Sequence, residues 1–234
     1  MEEYSSEYSV ATFADHFVVG AQSSGTDILQ NMFGLYVRYD QNLFDSNMTN
    51  MKLSTQAHNY FWRPLVGTSL TKTTAKDNVT KEKVLSEESG PVFLVTRDQK
   101  DALVQTWQTY QPESTWEEFR DGPMGFSLLQ EFMTEVSDME FAEVFSYEEL
   151  VESPQREFSR LVYCLLPRQD NVNHYYYGSV KREIKIDLID SVVESSKLRE
   201  LRDTQNGYLE CVGVHKEFLT SSQAEEIDEF VASL

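Results

Sequence analysis

Three sets of residues in this chain have types and spacing suited to anion or proton chemistry. The first is Ser23-Ser24-Gly25-Thr26-Asp27, set between the apolar run Phe17-Val18-Val19 and a stretch with Ile28, Leu29, Met32, Phe33, Leu35 and Tyr36 at helical spacing. A strand that breaks into a glycine turn and then a helix aims loop N–H groups and the helix N-terminus at an anion. The same turn also reads as a tight strand-to-helix connection capped by Asp27. The second set is Arg97, directly after the run Val92–Thr96, with Gln105 eight residues on. Arginine there can fork a phosphate through two N–H groups, and Gln105 can donate a further hydrogen bond. In an acidic chain an ion pair is the competing role. The third is His58, which can act as a general base near neutral pH, although a lone histidine in a polar segment is also simply exposed.

These residues need elements to hold them. The first βα unit spans about 15–37, and Met51–His58 can form a short second strand. Val92–Thr96 is a buried strand, bounded by Pro91 and Arg97-Asp98. Asp98 or its neighbour caps the next helix, with Ala102, Leu103, Thr106 and Trp107 on one face. Ser114–Glu117 fits a capping box ahead of a short helix over 116–120. Residues 126–136 are helical by period and Glu143–Ser146 is an inner strand. Helix resumes at Tyr147, is interrupted at Pro154, and ends before Pro167. Tyr175-Tyr176-Tyr177-Gly178 reads as a hairpin tip or exposed loop. Ile184–Leu201 is helical, and a closing helix runs over 222–231 with a second box from Ser222 to Glu225. Strands alternating with helices imply an α/β fold with a parallel sheet covered on both faces.

The chain has 234 residues, enough for one sizeable core, and is expected to be a single domain. Residues 1–14 read as a flexible arm and 67–90 as a mobile loop. Hydrophobic residues make up 40% of the chain and aromatics 12%, which fits a globular protein rather than a disordered one. No apolar run approaches the roughly 18 residues of a membrane span, and the acidic N-terminus has no signal-peptide pattern. The expected location is therefore the cytoplasm, which makes the sequons at Asn47 and Asn78 chance matches. Cys164 and Cys211 have no metal or disulfide spacing, and no metal is expected. A net charge of −19, from 39 acidic against 20 basic residues, excludes nucleic acid and anionic membrane as partners.

By Arg97 the order of segments resembles the cytosolic sulfotransferases, from about residue 15 to the C-terminus. Ser24-Gly25-Thr26 resembles the SGT core of that family's 5′-phosphosulfate loop, PKSGTTW. Thr96–Val104 is similar to its RNPKDVAVS segment, which holds a 3′-phosphate. Thr115–Phe119, with Gly125 beyond, resembles the WEEF and glycine-aromatic region near the acceptor pocket. Ser146–Leu150 and Ser153–Glu157 look like its YEDL and DPxRE corner. Val212–Thr220 resembles VGDWKNHFT, and Lys216, Thr220 and Glu225 fit its KxxxTVxxxE dimer motif.

The resemblance implies a three-layer α/β/α, P-loop-NTPase-like sulfotransferase fold. It implies 3′-phosphoadenosine 5′-phosphosulfate (PAPS) as co-substrate, a small-molecule acceptor bearing a hydroxyl or amine, and a possible homodimer. Ser23, Ser24, Gly25, Thr26 and Asp27 fall on the 5′ side, Arg97 and Gln105 on the 3′-phosphate, and His58, with Pro64 downstream, on the base. The departures lie in the chemistry. Ser23 stands where the family has its loop lysine, Asp27 replaces a threonine, Gln105 replaces a serine, and Tyr208-Leu209-Glu210 replaces the RKG cations. Lys181, Arg182 and Lys216 are candidate substitutes for those cations. Two functions follow as expectations: a divergent sulfotransferase, or a catalytically inactive sulfotransferase-fold protein that binds or scaffolds. A P-loop kinase is excluded, because no Lys-Ser/Thr pair follows Gly25.

Overall fold

The structure, a computed structural model, describes residues 15–39, 62–65, 89–165, 174–177, 180–183, 185–196, 198 and 210–234. Its centre is a four-stranded sheet in the order β2-β1-β3-β4, with β1 at Asp15–Gly20, β2 at Trp62–Leu65, β3 at Ser89–Thr96 and β4 at Glu143–Ser146. Strands β1, β3 and β4 run parallel, with Val18 opposite Phe93 and Val95 opposite Phe145. The β-branched and aromatic runs explain these strands: successive side chains point to opposite faces, and both faces are apolar. Val18, Phe93, Val95 and Phe145 belong to one buried cluster, whereas Val19 and Val92 belong to another.

The expectation of a parallel sheet needs one correction, since β2 pairs antiparallel with β1. Pro64 of β2 pairs with Phe17, and a residue without an N–H is tolerated because β2 ends the sheet order. The expected strand at Met51–His58 and the mobile loop over 67–88 lie outside the described residues, as do 1–14; Ser89 and Gly90 belong to β3.

The first cluster is completed by helices α1 (Thr26–Tyr39), α5 (Tyr147–Glu152), α6 (Pro154–Leu165) and α7 (Ile186–Ser196). Leu29, Met32, Phe33 and Tyr36 form the buried stripe of α1 at spacings of three and four residues. The second cluster joins α2 (Gln99–Tyr110), α3 (Trp116–Asp121), α4 (Phe126–Val136) and α9 (Ser221–Ser233); α8 (His215–Phe218) precedes α9. Trp116, Phe119 and Phe132 are core here, and Phe126 stacks on Phe230 with centroids 4.1 Å apart. Each such side chain stabilises by about 1.5–3 kcal/mol on burial.

Smaller corrections concern ends and turns. The first capping box is Thr115 with Glu118, not Ser114 with Glu117, and the closing one is Thr220 with Gln223, not Ser222 with Glu225. The tyrosines Tyr175–Tyr177 lie in a strand, β5 (His174–Tyr177), paired antiparallel with β6 (Val180–Glu183), rather than at a hairpin tip. The helix expected over 184–201 is described as α7 at Ile186–Ser196, with Lys185 not helical, and residues 184, 197 and 199–201 lie outside the described residues.

Candidate functional site

At the end of β1 the chain must turn sharply into α1, and its backbone shows how. Ser23 (φ 63°) and Gly25 (φ 96°) both occupy left-handed conformations, and Ser24 donates its N–H to the Ala21 carbonyl at 3.0 Å. Glycine is required at two points. A Cβ on Gly25 would lie 2.5 Å from the Tyr147 ring, and one on Gly20 would lie 2.2 Å from Ser24 Oγ and 2.8 Å from the Val95 carbonyl. The Ser24 hydroxyl is thus turned in against β1, buried and with no hydrogen-bond partner among the described residues. Thr26 is buried at the first position of α1. Asp27 is exposed in its first turn and is not the helix cap.

Arg97 leaves the end of β3 and is only 4% exposed. Its Nη1 donates to the Ser23 carbonyl at 2.9 Å and to Gln105 Oε1. Its Nη2 donates to the carbonyls of Glu210 (3.0 Å) and Cys211 (3.2 Å). The guanidinium also lies over the Tyr147 ring, 4.4 Å from the centroid, a contact of about 0.5–2 kcal/mol. The residues expected at the two ends of the cofactor, the Ser23 loop and the Arg97–Gln105 pair, therefore meet at one guanidinium. Gln105 acts there as an acceptor, not as the donor expected in place of a serine.

Helix α2 supplies the rest of the scaffold. Asp98 caps it, accepting from Lys100 N at 2.9 Å. Thr106 donates to the Ala102 carbonyl at 2.8 Å, so the 2.9 Å contact between the hydroxyls of Ser23 and Thr106 has Ser23 as donor. The Ser23 hydroxyl is consequently spent inward on α2. Beside Arg97, Glu148 accepts from Asp98 N at 2.8 Å and from Ser146 Oγ at 2.7 Å. Glu148 and Asp27 both make the surroundings of the loop less hospitable to a polyanion. Between the loop, α2 and the 122–125 turn lies a narrow cleft of about 10 Å³, room for one water, lined by Ala21, Gln22, Thr106, Met124, Leu128 and Leu129 among others.

Four participants were not anticipated from sequence. Tyr147 donates its hydroxyl to the Glu210 carbonyl at 2.7 Å, and burial pushes its phenol well above the ordinary value, so it remains a donor. Asp101, 1% exposed, accepts from Gly213 N (2.6 Å), His215 N (3.0 Å) and His215 Nδ1 (2.5 Å). Cys211 is fully buried and Glu210 half-buried. The one available signal was an aspartate between Lys100 and the apolar run Ala102-Leu103-Val104, an unusual place for a charge.

Other expected residues separate from this centre. His58 lies outside the described residues. Lys181 and Arg182 belong to β6. Lys216 is exposed, with its ammonium near Gly213, and Glu225 is exposed on α9. The Thr220 hydroxyl is occupied in capping α9. His215 is structural, held by Asp101. Cys164 and Cys211 are free thiols. Among the described residues no helix is long and apolar enough to cross a membrane. No protein-family model and no curated protein sequence matches the chain.

Proposed function

We propose that the chain is a divergent member of the sulfotransferase fold class, a three-layer α/β/α protein with a P-loop-like turn, that transfers a sulfuryl group from PAPS to a small acceptor. The observation that carries this reading is the bridge made by Arg97 between the Ser23 loop and Gln105. It brings the resemblance's 5′-phosphosulfate and 3′-phosphate motifs side by side, close enough for one bisphosphate ligand to reach both. Two apolar clusters divided by the sheet support the layered fold.

A test of fit comes from the loop. Gly25 in its left-handed conformation lets the backbone turn ahead of α1, whose N-terminus favours an anion. Ser24, Gly25 and Thr26 would hold the 5′ end, and Arg97 with Gln105 the 3′-phosphate. PAPS would supply the activated sulfuryl group, and this chain's contribution is positioning and electrostatic stabilisation. The acceptor would approach over the cleft beside Gln22, whose volume of about 10 Å³ is too small to enclose it. Its described lining carries no charged residue, which favours an uncharged hydroxyl compound over an amine. His58 would be the base, and Lys216 with Glu225 would form the dimer edge.

One observation favours the second reading, an inactive binding or scaffolding protein. Both terminal nitrogens of Arg97 are committed to the chain's own oxygens, and Ser23 replaces the lysine. Calorimetric titration with adenosine 3′,5′-bisphosphate, followed by label transfer from PAPS to phenols and alcohols, separates the two. Binding with transfer supports the enzyme, binding alone supports the inactive form, and no binding at millimolar ligand ends the enzyme reading.

A further inference from the structure

A guanidinium offers two edges for a bidentate oxyanion, Nη1–Nη2 and Nε–Nη2, and Nη2 belongs to both. In this chain Nη2 of Arg97 is held by the carbonyls of Glu210 and Cys211. No phosphate can fork Arg97 while both bonds stand. We infer that residues 210–215 form an autoinhibitory strap, which a phosphate monoester must displace from Arg97 before it can bind. This inference rests on the nucleotide-binding reading above and adds to it a closed state.

The strap is fastened at both ends. Tyr147 holds the Glu210 carbonyl alongside Arg97. Further on, the buried Asp101 carboxylate grips the backbone at Gly213 and His215 and the imidazole of His215. Gly213 (φ 79°) makes the turn between these anchors. Between them Cys211 has 0% exposure, so its thiol reports whether the strap is down. The segment begins at Glu210, the last position of the triplet that the resemblance aligns with RKG, and it presents carbonyl oxygens to the arginine. An anion competing with those carbonyls gains a charge-assisted pair of bonds, and the strap loses its hold on the cation. Asp101 is a positioning residue in this scheme: it touches neither the arginine nor the anion.

Two measurements test the strap, both with adenosine 3′,5′-bisphosphate as the probe. In a Cys164→Ser background, saturating ligand is expected to accelerate labelling of the Cys211 thiol by an aromatic disulfide reagent. Asp101→Asn, which loosens the far anchor, is expected to tighten ligand binding about tenfold by enlarging the competent fraction. Ligand binding with Cys211 still protected, and with no gain in Asp101→Asn, overturns the strap and leaves the nucleotide reading standing. Should Asp101→Asn fail to fold, the thiol measurement on the otherwise native chain decides alone. If neither form binds the ligand, the nucleotide reading falls and the strap falls with it.

Discussion

Arg97 and Tyr147 share a single acceptor: the carbonyl of Glu210 receives the Nη2 of one and the hydroxyl of the other. The two side chains also stack, with the guanidinium 4.4 Å from the ring centroid. A cation, a phenol and three backbone carbonyls thus tie the end of β3, the start of α5 and the 23 and 210–211 segments together. Lysine at position 97 would bring three donors to a set of oxygens arranged around a planar fork. Arg97→Lys is expected to lose about 2–4 kcal/mol, since at least one buried carbonyl is stranded and the ring contact is lost. Tyr147→Phe keeps the stack and removes one bond, an expected loss of about 1 kcal/mol. Urea midpoints measure both, and a neutral Arg97→Lys would show that the fork does not hold this junction.

Gly25 and Gly213 provide an internal comparison of backbone and packing costs. Both lie at positive φ, 96° and 79°. A methyl on Gly213 would meet nothing closer than the Lys216 ammonium at 3.7 Å, whereas one on Gly25 would strike the Tyr147 ring at 2.5 Å. Gly213→Ala is expected to cost only the left-handed conformation, about 1–2 kcal/mol. Gly25→Ala adds displacement of a buried ring, a further 1–3 kcal/mol or about that. Equal losses in chemical denaturation would mean that the ring yields freely, and would undercut the packing assigned to the loop.

The capping box at α3 has a pH signature. Glu118 accepts from the Thr115 backbone N–H at 2.9 Å and from its hydroxyl at 3.1 Å, and these bonds hold its carboxyl below the ordinary value, the backbone bond most of all. A lowered folded-state pKa stabilises above the unfolded value, and that contribution disappears as pH falls through the folded one. Thr115→Ala is expected to move Glu118 partway back toward the ordinary value, because the backbone N–H remains. Carbon-detected NMR titration reads the shift directly. An ordinary Glu118 pKa in the unaltered chain would contradict the reciprocal box.

How legible each part was depends on how local its cause is. Strand β4 and helix α4 were expected at their observed bounds, because period-2 and period-3.6 apolar patterns need only a few neighbours, but β4, expected as an inner strand, ends the sheet order with Val144 exposed. The capping boxes slipped for a traceable reason. Ser114 is spent on Trp107, accepting its indole N–H at 3.1 Å, and on the Gln111 carbonyl at 2.8 Å, which leaves Thr115 to cap. That partner is distant enough in the chain for a four-residue motif to miss it. At the site, the eight-residue spacing of Arg97 and Gln105 was readable as a pair. What occupies the other side of the arginine was not, because Glu210 lies 113 residues away. Nor could composition foresee that Asp101 would hold backbone N–H groups of a segment more than a hundred residues on.

The Ser23 position offers the most direct trial of the functional reading. Its hydroxyl now serves Thr106 and its carbonyl serves Arg97, so a lysine there keeps the carbonyl bond and forfeits only the hydroxyl contact. Its left-handed backbone adds roughly 1–2 kcal/mol of strain for the longer side chain, no more than serine already bears. Asp27, exposed in the first turn of α1, opposes an incoming phosphosulfate by an amount of order a few kcal/mol at about 4 Å and intermediate dielectric. Combining Ser23→Lys with Asp27→Thr removes that repulsion and restores a cation beside the helix N-terminus. The double variant is expected to bind adenosine 3′,5′-bisphosphate at least about tenfold more tightly than the native chain, a difference of about 1.4 kcal/mol. Calorimetry at two salt concentrations should show the gain shrinking as salt rises, since the added attraction is electrostatic. A salt-independent gain would point to a change in fold stability instead, and no gain at all would place the phosphate-binding loop elsewhere in the chain.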